Sequence, residues 1–150
     1  MSRSETIRDV ILAYYNETMD KIKKEEEEWR KELAPDLFHI AREKGTEAPF
    51  SGKYVFTKDK GIYKCAVCGN ELFSSDTKFE SDTGWPSFYE PIKPGAVEYA
   101  EDRSLVMVRV EITCGQCEAH LGHVFDDGPK PTGKRYCVNC VSLDLKKDKE

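Results

Sequence analysis

The first part of the chain carries apolar residues at near-helical spacing. The spacing runs from Ser4 to about Lys24 and predicts an amphipathic helix that the Ser4 side chain can cap. Its apolar positions are Ile7, Val10, Ile11, Tyr14 and Ile22. The acidic run from Glu25 to Glu28 could be a solvated continuation of this helix or a break in it, and Trp29 and Leu33 then resume an apolar face.

A second short helix is predicted from about Pro35 to Glu43. Proline is favoured at the first helical position, and Gly45 can end the helix. His39 lies within this segment and is interpreted as a packed or half-exposed helix residue. After Gly45 the pattern changes to short alternating segments between turn signals, which is typical of β-structure.

Four later segments predict strands. Residues 54–56 and 62–67, with a turn signal between them, predict a β-hairpin. Strict alternation over residues 106–113 predicts a half-buried strand, and residues 135–143 predict another, ahead of a solvated tail at 146–150. No helical pattern long enough for a parallel crossover follows residue 50, so the strands should be antiparallel.

Length and charge limit the classes of protein to consider. A chain of 150 residues fits one domain, which we divide into an extra N-terminal helix at 1–24 and a mainly β (α+β) core at 25–145. The net charge of -5 argues against nucleic acid as the main partner, because phosphate binding requires clustered Lys and Arg. Short apolar runs and the lack of a signal-peptide cleavage site predict a cytoplasmic protein without membrane attachment.

All six cysteines fall in CxxC pairs. In a reducing compartment such pairs are more consistent with metal ligands or reactive thiols than with disulfides. Cys65 with Cys68, and Cys114 with Cys117, each have a neighbouring glycine that lets the chain turn back on itself. Four thiolates complete a closed tetrahedral shell, so these two pairs predict one structural zinc at an edge of the fold. Redox-active pairs and an iron site are the alternatives.

The third pair, Cys137 with Cys140, lies in a β-like run without glycine. Side chains alternate between the two faces of a strand, so Arg135, Cys137 and Asn139 should share one face. A guanidinium favours the thiolate, the reactive form of cysteine, and this makes Cys137 a candidate nucleophile. The alternative is that Cys137 is a small buried hydrophobic residue.

Histidines and an aromatic turn supply further candidate chemistry. The segment from His120 to Gly128 contains a second histidine, His123, and a pair of aspartates. Histidine can supply a proton near neutral pH and aspartate can orient an imidazole, although core packing and metal binding also suit these histidines. Trp85 lies between glycine and proline and could form either a half-exposed aromatic wall or part of the core.

Together these motifs resemble the type B methionine sulfoxide reductases, a family that reduces the R epimer of methionine sulfoxide. The resemblance runs from about Trp29 to Leu143 and covers nearly everything except the first helix. Besides the two glycine-bearing CxxC pairs, it rests on AREKGTEAPFSGKY at 41–54, GWPSF at 84–88, HLGHVFDDGPKPTG at 120–133 and RYCVN at 135–139.

The resemblance implies roles for particular residues. Cys137 would attack the sulfoxide sulfur and become a sulfenic acid. His120 and His123 would lie around the sulfoxide oxygen, with Asp127 and Asn139 ordering their hydrogen bonds or a water between them. The oxygen leaves only when a proton reaches it, so a thiolate and an acid are needed together.

The same resemblance implies a binding wall and the substrates. Arg135 would help to keep the nucleophile ionised, Trp85 would receive the methyl group of the substrate on its ring face, and Phe125 would line the same wall. Oxidised proteins and free methionine sulfoxide are the expected substrates, and a thioredoxin-like protein or a small thiol is the expected reductant.

Regeneration of the thiol departs from the common pattern of the family. Many relatives carry a resolving cysteine in the segment leading into GWPSF, but residues 81–83 contain none. The only spare thiol is Cys140, where relatives commonly have serine. Three residues of straight strand span about 10 Å, whereas the Cα atoms of a disulfide lie roughly 4.4–6.8 Å apart. We therefore favour direct reduction of the sulfenic acid by an external thiol over Cys140 as the resolving thiol.

Two other classes of protein compete with this interpretation. A zinc-stabilised binding module without catalysis would explain the CxxC pairs but would leave Cys137, the two histidines and Trp85 without a purpose. A general thiol–disulfide oxidoreductase that uses Cys137 and Cys140 would leave the histidines idle.

Overall fold

The computed structural model describes residues 24–104 and 107–148. Two helices, α1 at Glu26–Glu32 and α2 at Pro35–Glu43, precede all of the strands. The strands are β1 at Gly61–Cys65, β2 at Glu71–Ser74, β3 at Lys78–Phe79, β4 at Ser87–Phe88, β5 at Val97–Asp102, β6 at Arg109–Cys114, β7 at His120–Phe125, β8 at Arg135–Val138 and β9 at Leu143–Lys147. The helix predicted from Ser4 lies outside the described residues.

The strands form two antiparallel sheets, as the sequence predicts. The three-stranded sheet has the order β2-β1-β9, and the six-stranded sheet has the order β3-β4-β8-β7-β6-β5. Aromatic rings from both sheets meet in the core, where Phe73 stacks on Phe88 and Tyr63 meets the same ring edge to face. No helix in the described part of the chain is long and apolar enough to cross a membrane.

The two helices cover one side of the strands. The acidic run from Glu25 to Glu28 contains a break, because Glu25 is extended and a new helix starts after it. Helix α1 begins within that run, and acidic side chains in a first turn suit the positive end of a helix dipole. Its Trp29 is buried. Helix α2 has the predicted bounds, but Lys44, with φ 58°, adopts the left-handed conformation that ends it. The interpretation of His39 was wrong, because its side chain is exposed and pairs with Glu43.

The predicted hairpin is paired differently. Residues 54–56 form no strand, because local turns hold them: the Thr57 hydroxyl donates to the Lys53 carbonyl, and the Thr57 N–H donates to the Tyr54 carbonyl. Strand β1 pairs instead with β2 and β9. The hairpin therefore turns through the first CxxC pair.

The strand predicted at 106–113 is shifted and does not show simple alternation of burial. Strand β6 begins at Arg109, after the exposed residues Met107 and Val108. Along β6 the polar Glu111 is buried while Val110 is partly exposed. The buried Glu111 carboxylate is paired with His120 of β7 and with Lys44.

The strand predicted at 135–143 is divided in two. Strand β8 ends at Val138, a short 3₁₀ turn spans Cys140–Ser142, and β9 then joins the other sheet. The tail is exposed at residues 146–148, as predicted, although β9 continues into it with Lys147 as the partner of Gly61. The break at Asn139 lets one continuous segment supply both sheets.

Candidate active site and metal centre

A β-bulge places both predicted histidines on the same side of the six-stranded sheet. Residues three apart in a regular strand point to opposite faces. The register between β6 and β7 shifts, so that Thr113 pairs with His120 and Ile112 pairs with Gly122. The additional residue restores a common face, since an extra residue in one strand reverses the alternation. The two imidazole rings are 5.5 Å apart between centroids, in an edge-to-face arrangement.

Cys137 lies in the middle of the sheet, between two neighbours. It is opposite His123 on β7 and opposite Ser87 on β4. Close approach of β7 and β8 requires glycine at position 122, because a Cβ there would lie 2.0 Å from the Cys137 carbonyl oxygen. The strand pairing therefore fixes the thiol beside one of the two histidines.

Six of the predicted site residues share a cavity of about 260 Å³. They are Trp85, His123, Phe125, Arg135, Cys137 and Asn139. The remaining wall is formed by Thr46, Thr83, Arg109 and Gly122, which sequence reasoning did not single out. His120, Asp127 and Cys140 were also predicted, but they do not belong to this wall.

The Cys137 thiol is partly shielded from water, and its environment acts in two directions. Burial raises the pKa of the thiol above its usual range, because a thiolate loses solvation there. The Thr83 hydroxyl, 3.9 Å from Sγ, and the Arg135 guanidinium both lower the pKa, but they do not outweigh the burial. Arg135 therefore favours the thiolate without making it the resting form of the free protein.

Asp127 pairs with Arg135 instead of with a histidine. Its two carboxylate oxygens accept hydrogen bonds of 2.8 and 3.2 Å from the guanidinium, which lowers the pKa of Asp127. The guanidinium also lies 4.4 Å from the centre of the Phe125 ring. Asp127 and Phe125 together hold Arg135 at the cavity wall.

Each histidine instead has its own carboxylate partner. Glu111, on the adjacent strand β6, pairs with His120, and Asp102, one strand further away on β5, pairs with His123. Nε2 of His123 lies 2.7 Å from an Asp102 oxygen, and Nδ1 of His120 lies 2.7 Å from a Glu111 oxygen. Burial lowers the pKa of His120, although Glu111 opposes this effect. The Nε2 atom of His120 is buried and has no hydrogen-bond partner among the described residues. The sequence signal for Glu111 was its place on the polar face of a predicted strand.

Glu47 connects three parts of the site that are distant in sequence. Its N–H donates to the Asn139 side-chain oxygen, 3.0 Å away, and its carbonyl accepts the Trp85 indole N–H at 3.1 Å. Its carboxylate accepts from the N–H groups of Cys140 and Val141 at 2.8 and 3.0 Å, at the start of the 3₁₀ turn. Its position within the family-like stretch at 41–54 was the only sequence signal for this role.

Cys140 lies in a compartment of its own. It lines a second cavity beside helix α2 and residues 51–53, and its side chain packs so closely on Gly52 that a Cβ there would be 2.1 Å from its Sγ. Burial raises the pKa of the Cys140 thiol to about 12. Its thiol is therefore protonated at neutral pH and is a poor nucleophile.

The four remaining cysteines meet at one point, as predicted. The Sγ atoms of Cys65, Cys68, Cys114 and Cys117 all lie within 4.8 Å of one another. The Cys65–Cys117 and Cys68–Cys114 separations are both 3.6 Å. Sulfurs about 2.3 Å from a tetrahedral zinc are separated by about 3.8 Å, so this thiol set fits that ion.

Comparison with known proteins agrees with the sequence motifs. Residues 33–147 match the SelR domain. The chain is similar to the "Peptide methionine sulfoxide reductase MsrB" of Methanosarcina barkeri, with 59% identity over 86% of this chain and 91% of the relative. The protein of the same name from Methanosarcina mazei is 57% identical over 87% of this chain and 94% of the relative. The one from Leptospira interrogans is 54% identical over 85% and 98%.

Proposed function

The chain belongs to the SelR domain family, and we propose that it reduces the R epimer of methionine sulfoxide, in proteins and as the free amino acid, to methionine. One observation carries this proposal. A nucleophilic thiol, an imidazole and an indole face, from Cys137, His123 and Trp85, line the same cavity. A binding module without catalysis has no need for this combination.

The reaction requires an ionised sulfur and a proton donor. The Cys137 thiolate attacks the substrate sulfur and forms a transient bond between the two sulfurs. This bond and the S–O bond of the sulfoxide then break as the oxygen moves to Sγ, where it becomes the hydroxyl of a sulfenic acid. Charge balances if the protonated His123 ring gives one proton to that oxygen and becomes neutral. Substrate sulfur is reduced and Cys137 is oxidised, and methionine leaves.

Trp85 and Phe125 supply the apolar side of the pocket for the methyl group of the substrate. The indole N–H of Trp85 is held by the Glu47 carbonyl, so the ring orientation is fixed before substrate binds. Burial of one methyl-sized group against such a wall contributes about 1 kcal/mol. The configuration at the sulfoxide sulfur then decides whether the methyl group can contact Trp85 while the oxygen reaches His123.

The proposed activity predicts discrimination between the two epimers. Supplied with dithiothreitol, the protein should convert N-acetyl-methionine R-sulfoxide to the thioether and leave the S epimer unreduced, as measured by chromatography. Equal reduction of both epimers would contradict the proposed pocket. Reduction of neither would favour a binding module or a general disulfide exchanger.

We also propose that an external thiol, from a thioredoxin-like protein or a small molecule, reduces the sulfenic acid directly. Cys140 lines a different cavity from Cys137, and burial keeps it protonated. Thr83 is the residue of the 81–83 segment that faces the nucleophile, with its hydroxyl 3.9 Å from Sγ, and it carries no thiol. Neither position therefore offers a resolving thiolate.

Substitution of Cys140 with serine tests this route. We expect Cys140→Ser to reduce the R epimer with dithiothreitol at the wild-type rate, since serine is smaller than cysteine and fits beside Gly52. One turnover without reductant should remove one free thiol from wild type and from the variant, as counted with a thiol reagent. Loss of two thiols in wild type and one in Cys140→Ser would assign resolution to Cys140.

We propose zinc as the resident ion of the four-cysteine cluster. The cluster joins the loop after β1 to the loop after β6, and a closed shell of four thiolates leaves no position for chemistry. None of the six cysteines forms a disulfide, which suits a reducing cytoplasmic location. The ion would stabilise the fold and take no part in the reduction.

A further inference from the structure

The Asp102 carboxylate at the end of β5 is saturated with hydrogen-bond donors. One oxygen accepts from the N–H and the hydroxyl of Ser104, at 2.9 and 2.5 Å. The other oxygen accepts from His123 Nε2 at 2.7 Å and from Arg109 at 3.1 Å. Ser104 and the imidazole hold the pKa of Asp102 well below its usual range, so the group is a carboxylate at neutral pH. Its position is fixed from both sides.

We infer that Asp102 is a positioning residue for His123 in sulfoxide reduction, an inference that rests on the acid role proposed for His123. A carboxylate bonded to one ring nitrogen sets the tautomer and the orientation of an imidazole and stabilises its protonated form. Because Asp102 accepts from Nε2, that nitrogen carries a proton. The proton given to the sulfoxide oxygen therefore leaves from Nδ1.

The other histidine–carboxylate pair, His120 with Glu111, does not position an imidazole at the cavity wall. Glu111 holds the other histidine, His120, and that ring is absent from the wall of the Cys137 cavity. Asp127, four residues after His123, is occupied by Arg135. Asp102, in contrast, contacts His123, a ring of the cavity wall.

Arg109 completes the arrangement from the cavity side. It is the cross-strand partner of Asp102 in the last pair of β5 and β6, and it lines the same cavity as Cys137. Since one carboxylate oxygen serves both Arg109 and His123, the guanidinium and the imidazole are held in a fixed relation. The hairpin formed by β5 and β6 thus contributes to the site through Asp102 and Arg109, neither of which belongs to a cysteine or histidine motif.

A double-mutant cycle tests the inference in the full chain. Single-turnover methionine formation from the R epimer is measured for wild type, Asp102→Asn, His123→Gln and the double variant. We expect Asp102→Asn to slow the step by roughly 10- to 100-fold, a part of the 10²- to 10⁴-fold that a positioned acid contributes, with KM nearly unchanged. In the His123→Gln background the same change should have no further effect.

The matched control is Asp126→Asn, an aspartate paired with Lys134 outside the cavity, which should retain the wild-type rate.

An equal loss of rate from Asp102→Asn in both backgrounds would show that Asp102 acts only on the hairpin, and this would overturn the inference. The absence of any loss would overturn it as well. If Asp102→Asn unfolds, Ser104→Ala replaces it in the cycle, because it loosens the carboxylate and keeps the charge. A wild-type rate in His123→Gln would refute the acid role and the inference, whereas the epimer assay of wild type decides the function itself.

Discussion

Replacement of Cys137 with serine should abolish reduction of methionine R-sulfoxide. A serine hydroxyl does not ionise near neutral pH and cannot carry the oxygen as a sulfenic acid. No second cysteine lines the described cavity, so no other thiol is in place to take over. We expect the rate to fall by roughly 10⁴-fold or more, the scale of loss when a covalent nucleophile is removed. Methionine formation with dithiothreitol, followed for both epimers, measures the effect.

Two controls separate chemistry from folding in this experiment. The Cys137→Ser variant should keep the wild-type thermal midpoint and metal content, since Sγ of Cys137 lies in a cavity and contributes little to the core. Cys140→Ser removes a thiol three residues away and should remain active. If more than about one percent of the activity survives in Cys137→Ser, another group is the nucleophile and the proposed mechanism is wrong.

Local sequence signals predicted those parts of the fold that depend on local geometry. Helix α2 could be predicted from its first proline, and the face shared by Arg135, Cys137 and Asn139 followed from strand alternation. The four-cysteine cluster followed from the spacing within each pair. In each case the signal lies within one turn, one strand or one CxxC pair.

The parts that could not be predicted depend on pairing between distant strands. No spacing rule shows that β6 and β7 shift register, although this shift puts the two histidines on a common face. Asp102 meets His123 only because β5 pairs with β6 and β6 with β7. Asp127, which the family resemblance placed with the histidines, pairs with Arg135 instead.

The break at Asn139 has the same origin. A run of strand-forming residues from 135 to 143 favours one continuous strand, but Glu47 accepts the N–H groups of Cys140 and Val141 and stabilises a turn there. Glu47 lies more than ninety residues earlier in the chain, so its effect is invisible in a local window. Cys140, at the start of this turn, lines a cavity separate from that of Cys137.

Loss of the metal should destabilise the fold more than any single substitution at the active site. Structural zinc sites bind with about 10–16 kcal/mol, which equals or exceeds the roughly 5–15 kcal/mol by which a domain is usually stable. The four sulfurs lie at the ends of β1 and β6, and three of them are buried. We expect Cys114→Ser, or prolonged chelation of the wild type, to lower the thermal midpoint by more than about 10 °C or to unfold the protein.

Thermal unfolding followed by circular dichroism, together with metal content per chain, measures this effect. Cys140→Ser is the matched control, because it removes a buried thiol outside the cluster and should leave both quantities unchanged. Activity should disappear together with the fold in Cys114→Ser, since β2 and β7 each follow a CxxC pair of the cluster and lose that anchor. It should return when zinc is restored to chelated wild type. An unchanged midpoint and full activity in metal-free protein would show that the thiols pack as a dry cluster and that zinc is dispensable for this fold.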